Sequence, residues 1–158
     1  MRQVWGVLVV LLVLAGCTTE RVGGRPDRTE APKGAFDLAV PIELARVSPT
    51  ETPTDLPDPE GVTLFLDEPF LTVTRLEHAE VQSQQGNWGL LIKLTEDDGE
   101  VFGEWTEAHV GERVAMVVDG EIASAPQIAQ GILGGEVVIS GDYTQTEAQA
   151  LLNKITGR

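Results

Sequence analysis

The dipeptide Asp119-Gly120 restricts the fold of this chain more than any other feature. It separates two apolar stretches, residues 113–118 and residues 121–125. A type I′ turn favours this pair, because both of its central positions need positive φ. Pro126 follows and has no backbone N–H to donate to a neighbouring strand. The pattern predicts an antiparallel β-hairpin that ends before the proline.

Further strands are predicted on both sides of this hairpin. Residues 88–94 (WGLLIKL) follow a Gly86-Asn87 turn, which predicts a second hairpin. Residues 136–140 (EVVIS) predict another strand after the flexible pair Gly134-Gly135. Closer to the N-terminus, alternation of apolar with small or polar residues predicts a first strand within residues 35–47.

Two details of this N-terminal half restrict the prediction further. Pro41 cannot donate to a strand ladder, which predicts that it lies at a sheet edge or at a bulge. Residues 74–77 match the Thr-x-x-Glu pattern of a helix start, which predicts one helical turn before Ala79.

Two amphipathic helices complete the predicted fold. Thr95 with Asp98 predicts the start of the first helix, and Thr144 with Glu147 forms the capping box of the second. Glycines are expected to end both helices, and Gly99 and Gly103 to weaken the first by up to ~1 kcal/mol each. The apolar face predicted for the first helix comprises Val101, Phe102, Trp105 and Ala108 or His109, and that of the second comprises Ala148, Leu151, Leu152 and Ile155. The sequence therefore predicts an α+β fold, a mostly antiparallel sheet with two amphipathic helices packed on it.

Composition excludes several classes of function. The formal charge of −14, with only 11 Lys and Arg spread over the chain, argues against a nucleic-acid partner. A single cysteine excludes an internal disulfide, and His78 and His109 lie far apart without a second group of ligands. We therefore expect no metal and no cofactor.

The N-terminus has the pattern of a secretory signal. Residues 1–16 contain one basic residue, Arg2, followed by an apolar run that is short for a membrane span and ends in small residues. Residues 14–17 (LAGC) resemble the lipobox of bacterial lipoproteins, which implies cleavage before Cys17 and attachment of lipid to its thiol. By the same resemblance, Thr18 favours the outer membrane if the cell has two membranes. An uncleaved anchor helix and a secreted protein are the alternatives.

The rest of the chain divides into three parts in this interpretation. Residues 17–34 are polar, with Gly and Pro, and predict a flexible tether. After the first strand, residues 48–61 contain alternating prolines and acidic residues, which predicts a disordered loop. Residues 62–158 are then expected to form the compact domain.

Within that domain the residues resemble a known family, the head subdomain of the first periplasmic domain of SecD, a subunit of the protein-export translocase. Phe102, Thr106 and Gly111 match the spacing of that family, and residues 42–47 resemble its opening strand. The similar stretch covers residues 72–155. The motifs that carry the resemblance are residues 117–128, Gly134-Gly135, residues 139–144 and Glu147-Ala148.

The resemblance implies an α+β module that engages emerging polypeptide on the far side of the membrane. The translocase's transmembrane helices and most of its ferredoxin-like base subdomain have no counterpart in this sequence. We therefore expect a lipid-anchored protein with a SecD-head-like domain, located in the cell envelope outside the cytoplasm.

Three functions fit these features. The first is a non-catalytic module that binds polypeptide or an envelope protein, with the Sec translocase as one candidate partner. The second is an envelope hydrolase, whose candidate carboxylates are Asp119, Glu121 and the cluster in residues 96–100. The third is a passive structural or oligomerising lipoprotein. The predicted partner-binding residues of the first function are Ser124, Ala125, Pro126, Ile128, Ile132, Leu133, Gly134 and Gly135. Alternatively, the apolar members of this set fill the core beneath their loop.

Overall fold

The computed structural model describes residues 34–84 and 86–158. The predicted signal segment, Cys17 and the predicted tether up to Lys33 lie outside the described residues. The described elements, in chain order, are β1 (Phe36–Arg46), β2 (Thr54–Pro57), β3 (Thr63–Leu66), β4 (Leu71–Gln84), β5 (Asn87–Leu94), α1 (Glu96–Ala108), β6 (Val114–Val118), β7 (Glu121–Ser124), β8 (Glu136–Tyr143) and α2 (Gln145–Thr156).

Six of the strands form one sheet in the order β7-β6-β1-β4-β5-β8, and every pairing in it is antiparallel. The remaining strands, β2 and β3, form a separate two-stranded sheet. Together with the two helices, this arrangement confirms the predicted α+β class.

The turn at Asp119-Gly120 has the predicted geometry. The φ angles of Asp119 and Gly120 are 55° and 75°, so both central positions are left-handed as a type I′ turn requires. β6 and β7 pair directly across this turn, with Val118 opposite Glu121. All five residues of β6 are buried, because this strand is covered on both of its faces.

The helical turn predicted before Ala79 is wrong, because residues 74–77 lie inside the long strand β4. Leu76 of β4 pairs with Phe36 on one side and with Leu94 on the other, and its side chain is fully buried. A short capping pattern does not form a helix here, since the chain gains cross-strand pairing on both sides as a strand.

Pro41 lies at a bulge rather than at a sheet edge. β1 is a central strand, and its register with β4 shifts between Asp37 and Ile42. The pairing of β1 with β6 starts only at Ile42, so the missing N–H of the proline removes no partner of β6.

The prediction of a disordered loop over residues 48–61 is also wrong, because Thr54–Pro57 is a strand paired with Thr63–Leu66. Asp58 stabilises the turn between them, since its side chain and its backbone both bond to Val62. Leu64 and Leu66 are buried against the outer face of β1, β6 and β7. Composition predicts disorder for residues 48–61, because it does not show that Leu56 and the leucines of the following strand have an apolar sheet face to cover.

The main core lies on the opposite face of the sheet, under both helices. Phe102 of α1 and Ala148 and Ile155 of α2 are fully buried there. The two ends of the sheet also approach each other on this side: the Ser124 hydroxyl donates to the Ser140 carbonyl at 2.7 Å, and the Tyr143 hydroxyl donates to the Ala123 carbonyl at 2.6 Å. Side chains therefore join β7 to β8 and hold the sheet in a curved form.

Over the part of the chain that the structure describes, we find no helix with the length and apolar character needed to cross a membrane.

Candidate functional site

The helix α1 packs through its smallest residues. Its buried positions are Gly99, Phe102, Gly103 and Thr106, whereas Val101 of the predicted apolar face is 45% exposed. A Cβ atom on Gly99 would lie 3.3 Å from the Cα of Gly135. The buried face is thus rotated from the predicted one, because the two glycines let the helix backbone approach the loop before β8.

The hydroxyl of Thr106 fixes this loop to α1. It donates to the carbonyl of Gly103 at 3.0 Å and accepts the backbone N–H of Ile132 at 2.9 Å. At the other end of the loop, the N–H of Leu94 donates to the carbonyl of Gly135 at 2.9 Å. The loop therefore lies alongside α1 with bonds at both ends.

An open groove of about 590 Å³ runs between α1, this loop, the middle of β4 and the end of β5. We call it the α1 groove. Leu94, Gly99, Gly103, Gly134 and Gly135 contribute to its lining. Four glycines thus contribute backbone to the lining of the groove.

Carboxylates dominate the lining of the α1 groove. Three of them, Glu96, Glu100 and Glu104, follow one another at intervals of four residues and so lie on one face of the helix. Glu107 continues this face, and Glu77 of β4 adds a carboxylate from the sheet. All five side chains belong to exposed residues.

Among the described residues that line the α1 groove, Lys93 is the one basic side chain, and its ammonium donates to the carbonyl of Gly134. It therefore also ties the loop to β5. One positive charge against five negative ones leaves the groove strongly electronegative.

Leu133 supplies an apolar group at the same place. Its side chain is 69% exposed, more than any other large hydrophobic residue described, and it lines the α1 groove. An exposed leucine beside a row of carboxylates gives the groove both an apolar and an acidic contact.

The structure divides the predicted partner-binding residues into two groups. Leu133, Gly134 and Gly135 line the α1 groove. Ile128 is only 3% exposed, so its predicted place on a binding surface is wrong and it fills the core, the alternative considered above. Ile132 is half-buried and packs against the same core.

The remaining predicted residues bond to the fold rather than line the groove. Ser124 is buried and bonds to β8. The carbonyl of Ala125 accepts from the Arg113 guanidinium at 2.9 Å, and the carbonyl of Pro126 accepts the N–H of Val114 at 3.1 Å. The stretch from Ser124 to Gly135 is therefore not one continuous surface.

The acidic row was missed as a binding feature, although its spacing is visible in the sequence. The sequence prediction names the cluster in residues 96–100 only as candidate hydrolase carboxylates, and it does not include Glu77, Glu104 or Glu107. The four-residue spacing from Glu96 to Glu104 shows a common helix face, but it does not show which groups stand opposite that face.

The other candidate carboxylates lie elsewhere. Asp119 and Glu121 each approach the Lys154 ammonium at 3.4 Å, and the hydrogen bond to Asp119 is the main cause that raises the pKa of Lys154. The structure therefore does not join them to the cluster in residues 96–100. Within the described residues there is also no group of three or more His, Cys, Asp or Glu side chains arranged to hold a metal ion.

An aromatic stack flanks α1 outside the groove. The Trp105 ring lies 3.9 Å from the Phe70 ring and 4.1 Å from the His109 ring, measured between centroids. His109 is the C-cap residue of α1, and its Nδ1 lies 2.7 Å from the carbonyl oxygen of Trp105. This stack attaches the C-terminal end of α1 to the start of β4.

The fold and the groove define an α+β module in which a helix and a loop shape an acidic channel on an antiparallel sheet. Comparison with known proteins identifies the class: the family model described as "SecDF, P1 head subdomain" matches residues 50–157. The chain therefore belongs to the SecDF P1 head subdomain family, and the resemblance found in the sequence is confirmed.

Individual relatives agree with this assignment. The protein translocase subunit SecD of Dictyoglomus turgidum is 30% identical over 114 residues, which cover 70% of this chain and 29% of that protein. The protein translocase subunit SecDF of Thermus thermophilus is 34% identical over 110 residues, which cover 69% of this chain and 14% of that protein. This chain thus spans less than a third of the length of either relative.

Solved structures show the same fold. The structure titled "Structure and function of a membrane component SecDF that enhances protein export" superposes with a TM-score of 0.59 at 28% identity, covering 73% of this chain and 62% of that chain. "Crystal structure of SecDF in Super-membrane-facing form" gives a TM-score of 0.57 at 27% identity, covering 71% of this chain and 18% of that chain.

Proposed function

We propose that this domain is a non-catalytic module that binds polypeptide at the cell envelope in support of protein export, and that the α1 groove is its binding surface. The family assignment supports the link to export, since the printed names of the relatives are those of translocase subunits. The observation that carries the proposal is Leu133, which is 69% exposed on an otherwise acidic groove.

The composition of the α1 groove suits a polypeptide rather than a small molecule. A site for a small molecule is usually enclosed and mostly apolar, with a few converging polar groups. This groove is open, and its carboxylates follow the helix axis over a distance of ~16 Å at 1.5 Å per residue. Such a row can contact several basic side chains of one extended segment, while Leu133 contacts an apolar one.

The exposure of the carboxylates favours binding over hydrolysis. A glycoside hydrolase needs one carboxylic acid with a raised pKa, which proteins achieve by withdrawing the group from water. Glu77, Glu96, Glu100, Glu104 and Glu107 all belong to exposed residues, so none of them is withdrawn in this way. We therefore place the carboxylates in an electrostatic role.

Site-specific photocrosslinking tests the proposal. A photoreactive phenylalanine analogue replaces Leu133 in the full chain, and newly exported polypeptides are pulse-labelled in living cells. Val62 serves as the matched control, since it is 56% exposed and belongs to the segment between β2 and β3. We expect at least about five times more labelled exported polypeptide at position 133 than at position 62.

Two outcomes would contradict the proposal. Equal labelling at positions 133 and 62 would show that exposure alone governs the crosslinks. Crosslinks from position 133 only to a second copy of this chain would instead support the passive, oligomerising function.

Glu100→Gln with Glu104→Gln should reduce the crosslinks at position 133, because both changes remove charge from the groove without altering the packed face of α1.

We further propose that lipid on Cys17 holds this domain at the membrane, with the outer membrane favoured where a cell has two, and that the Sec translocase is a partner. The lipobox-like LAGC at residues 14–17 supports the anchor. Labelling cells with an alkyne-bearing palmitate should mark the full chain and should fail to mark Cys17→Ala. If the Cys17→Ala chain fractionates with membranes as before, the proposed lipid anchor is wrong.

A further inference from the structure

We propose that residues 18–33 of this chain dock, within the same molecule, along the α1 groove. This docking does not require that the groove also binds an external polypeptide.

Charge complementarity is the first argument. Residues 18–33 contain four of the 11 Lys and Arg residues of the chain, Arg21, Arg25, Arg28 and Lys33, against three acidic residues, so the segment is net positive in a chain of formal charge −14. The rest of the acidic protein has few basic residues, and the α1 groove is lined by five carboxylates with Lys93 as the single basic side chain among its described lining. Basic side chains that approach this groove are attracted, and each exposed pair contributes up to ~1 kcal/mol.

The second argument is where the described chain begins. Gly34 lies just before β1, whose Phe36 pairs with Leu76 of β4, and Leu76 pairs in turn with Leu94 of β5. Glu77 and Leu94 both line the α1 groove. Because neighbouring strands lie ~4.8 Å apart, Phe36 lies about 10 Å from Leu94, which comes two residues before the start of α1.

The third argument is length. The carboxylates on α1, from Glu96 to Glu107, span ~16 Å at 1.5 Å per residue. An extended chain covers ~3.3 Å per residue, so the eight residues from Lys33 back to Arg25 reach about 26 Å. This length suffices to place Lys33 near Glu77, and Arg28 and Arg25 further along the helix.

Carbodiimide crosslinking of the full chain, purified in detergent, tests this placement. The reagent joins amines to carboxylates, and the chain contains only three lysines, Lys33, Lys93 and Lys154. Arg25→Lys adds an amine in the docking segment and preserves its charge. We expect mass spectrometry to find this new amine joined to Glu104 or Glu107. We also expect the yield to fall at least about fivefold in 1 M NaCl, where the Debye length is ~3 Å.

Two variants in this background change only residues 18–33. Arg21→Gln with Arg28→Gln should lower the yield at Glu104 and Glu107 several-fold. Glu20→Gln, Asp27→Asn and Glu30→Gln remove the acidic residues of the segment and should raise the yield. A mixture of ¹⁴N and ¹⁵N chains identifies links between two molecules by mass.

The results separate the occupants of the groove. The proposal would be overturned if neither set of charge changes altered the crosslink yield. It would also be overturned if the Arg25→Lys amine were joined equally often to Glu121 and Glu136. Links mainly between ¹⁴N and ¹⁵N chains would replace docking within one molecule by docking between two copies. Photocrosslinking at position 133 is carried out in parallel. Photocrosslinks from position 133 to exported polypeptide, without carbodiimide links from the Arg25→Lys amine to Glu104 or Glu107, would leave the proposed function standing and contradict only the docking.

Discussion

The two helices of the domain pack on the same face of the sheet but do so in different ways. α2 buries the alkyl side chains of Ala148 and Ile155, begins with a capping box and ends at Gly157 in the left-handed conformation. α1 buries two glycines together with Phe102 and Thr106, and its exposed face carries the row of glutamates. α2 therefore serves stability, whereas α1 is shaped to lie close to a loop and to form one wall of a groove.

A helix can therefore gain a site at little cost to the core. Gly99 and Gly103 lower the helix propensity of α1, yet they allow the close approach that places Leu133 and Gly134 beside the glutamates. Phe102, which is fully buried, then holds the helix to the main core, and the partly buried Trp105 packs against the same core.

The largest expected effect comes from removing that apolar contact. Phe102→Ala should lower the free energy of unfolding by about 3–5 kcal/mol, because it leaves a cavity in the main core. Val101→Ala is the matched control: Val101 is 45% exposed, and we expect a change of less than ~0.5 kcal/mol. Urea unfolding followed by circular dichroism measures both, and equal losses would contradict the observed orientation of α1.

A smaller loss of stability should follow from placing a side chain in the space between α1 and the loop before β8. Gly99→Val places a branched side chain where even a Cβ lies 3.3 Å from Gly135, which should cost about 1–3 kcal/mol. The same residue introduced at the exposed neighbour, Glu100→Val, should have little effect in the same unfolding experiment. If Gly99→Val instead stabilises the protein, helix propensity outweighs packing and the contact is not close.

Removing either helix cap should lower the free energy of unfolding by a smaller amount, and the two caps should differ from each other. Thr144 and Glu147 exchange two bonds in the capping box of α2, whereas Thr95 caps α1 with one bond of 3.4 Å to the N–H of Asp98. Thr144→Ala should cost about 1 kcal/mol and Thr95→Ala less, again by urea unfolding. A larger loss for Thr95→Ala would reverse this ranking of the two caps.

The smallest expected effect is a pH dependence at the start of α2. The backbone N–H of Thr144 donates to Glu147 and, with the Thr144 hydroxyl, lowers the pKa of this glutamate. The stabilisation is therefore complete above the unfolded value of ~4.3 and is lost as the pH falls through the lower folded pKa. Glu147→Gln should flatten this part of the pH–stability curve, which is measured over ~4 pH units from about pH 6 to about pH 2. An unchanged curve would contradict this assignment.

Much of the fold could be predicted from local patterns. Asp119-Gly120, the capping box at Thr144 and the end of α2 at Gly157 depend on neighbouring residues only, and the structure has each of them. The helical turn predicted at residues 74–77 of β4 and the disordered loop predicted over residues 48–61 were wrong, because cross-strand partners and an apolar sheet face that lie far away in sequence decide these segments.

The candidate site could be predicted only in part for the same reason. Leu133, Gly134 and Gly135 were identified from sequence and line the α1 groove. The apolar periodicity of α1 predicts the wrong buried face, because it gives no weight to glycines that pack against a distant loop. Glu77 comes from another part of the chain, so only the sheet register brings it near the helix.

The contrast between α1 and α2 leads to one direct measurement. Hydrogen exchange of the full chain is followed by mass spectrometry with and without reduced, alkylated lysozyme, a basic polypeptide that cannot refold. We predict slower exchange in α1 and in the loop at residues 131–135, with α2 unchanged. Protection confined to α2 or to the hairpin β2–β3, or no protection at all, would contradict the α1 groove as the polypeptide-binding surface.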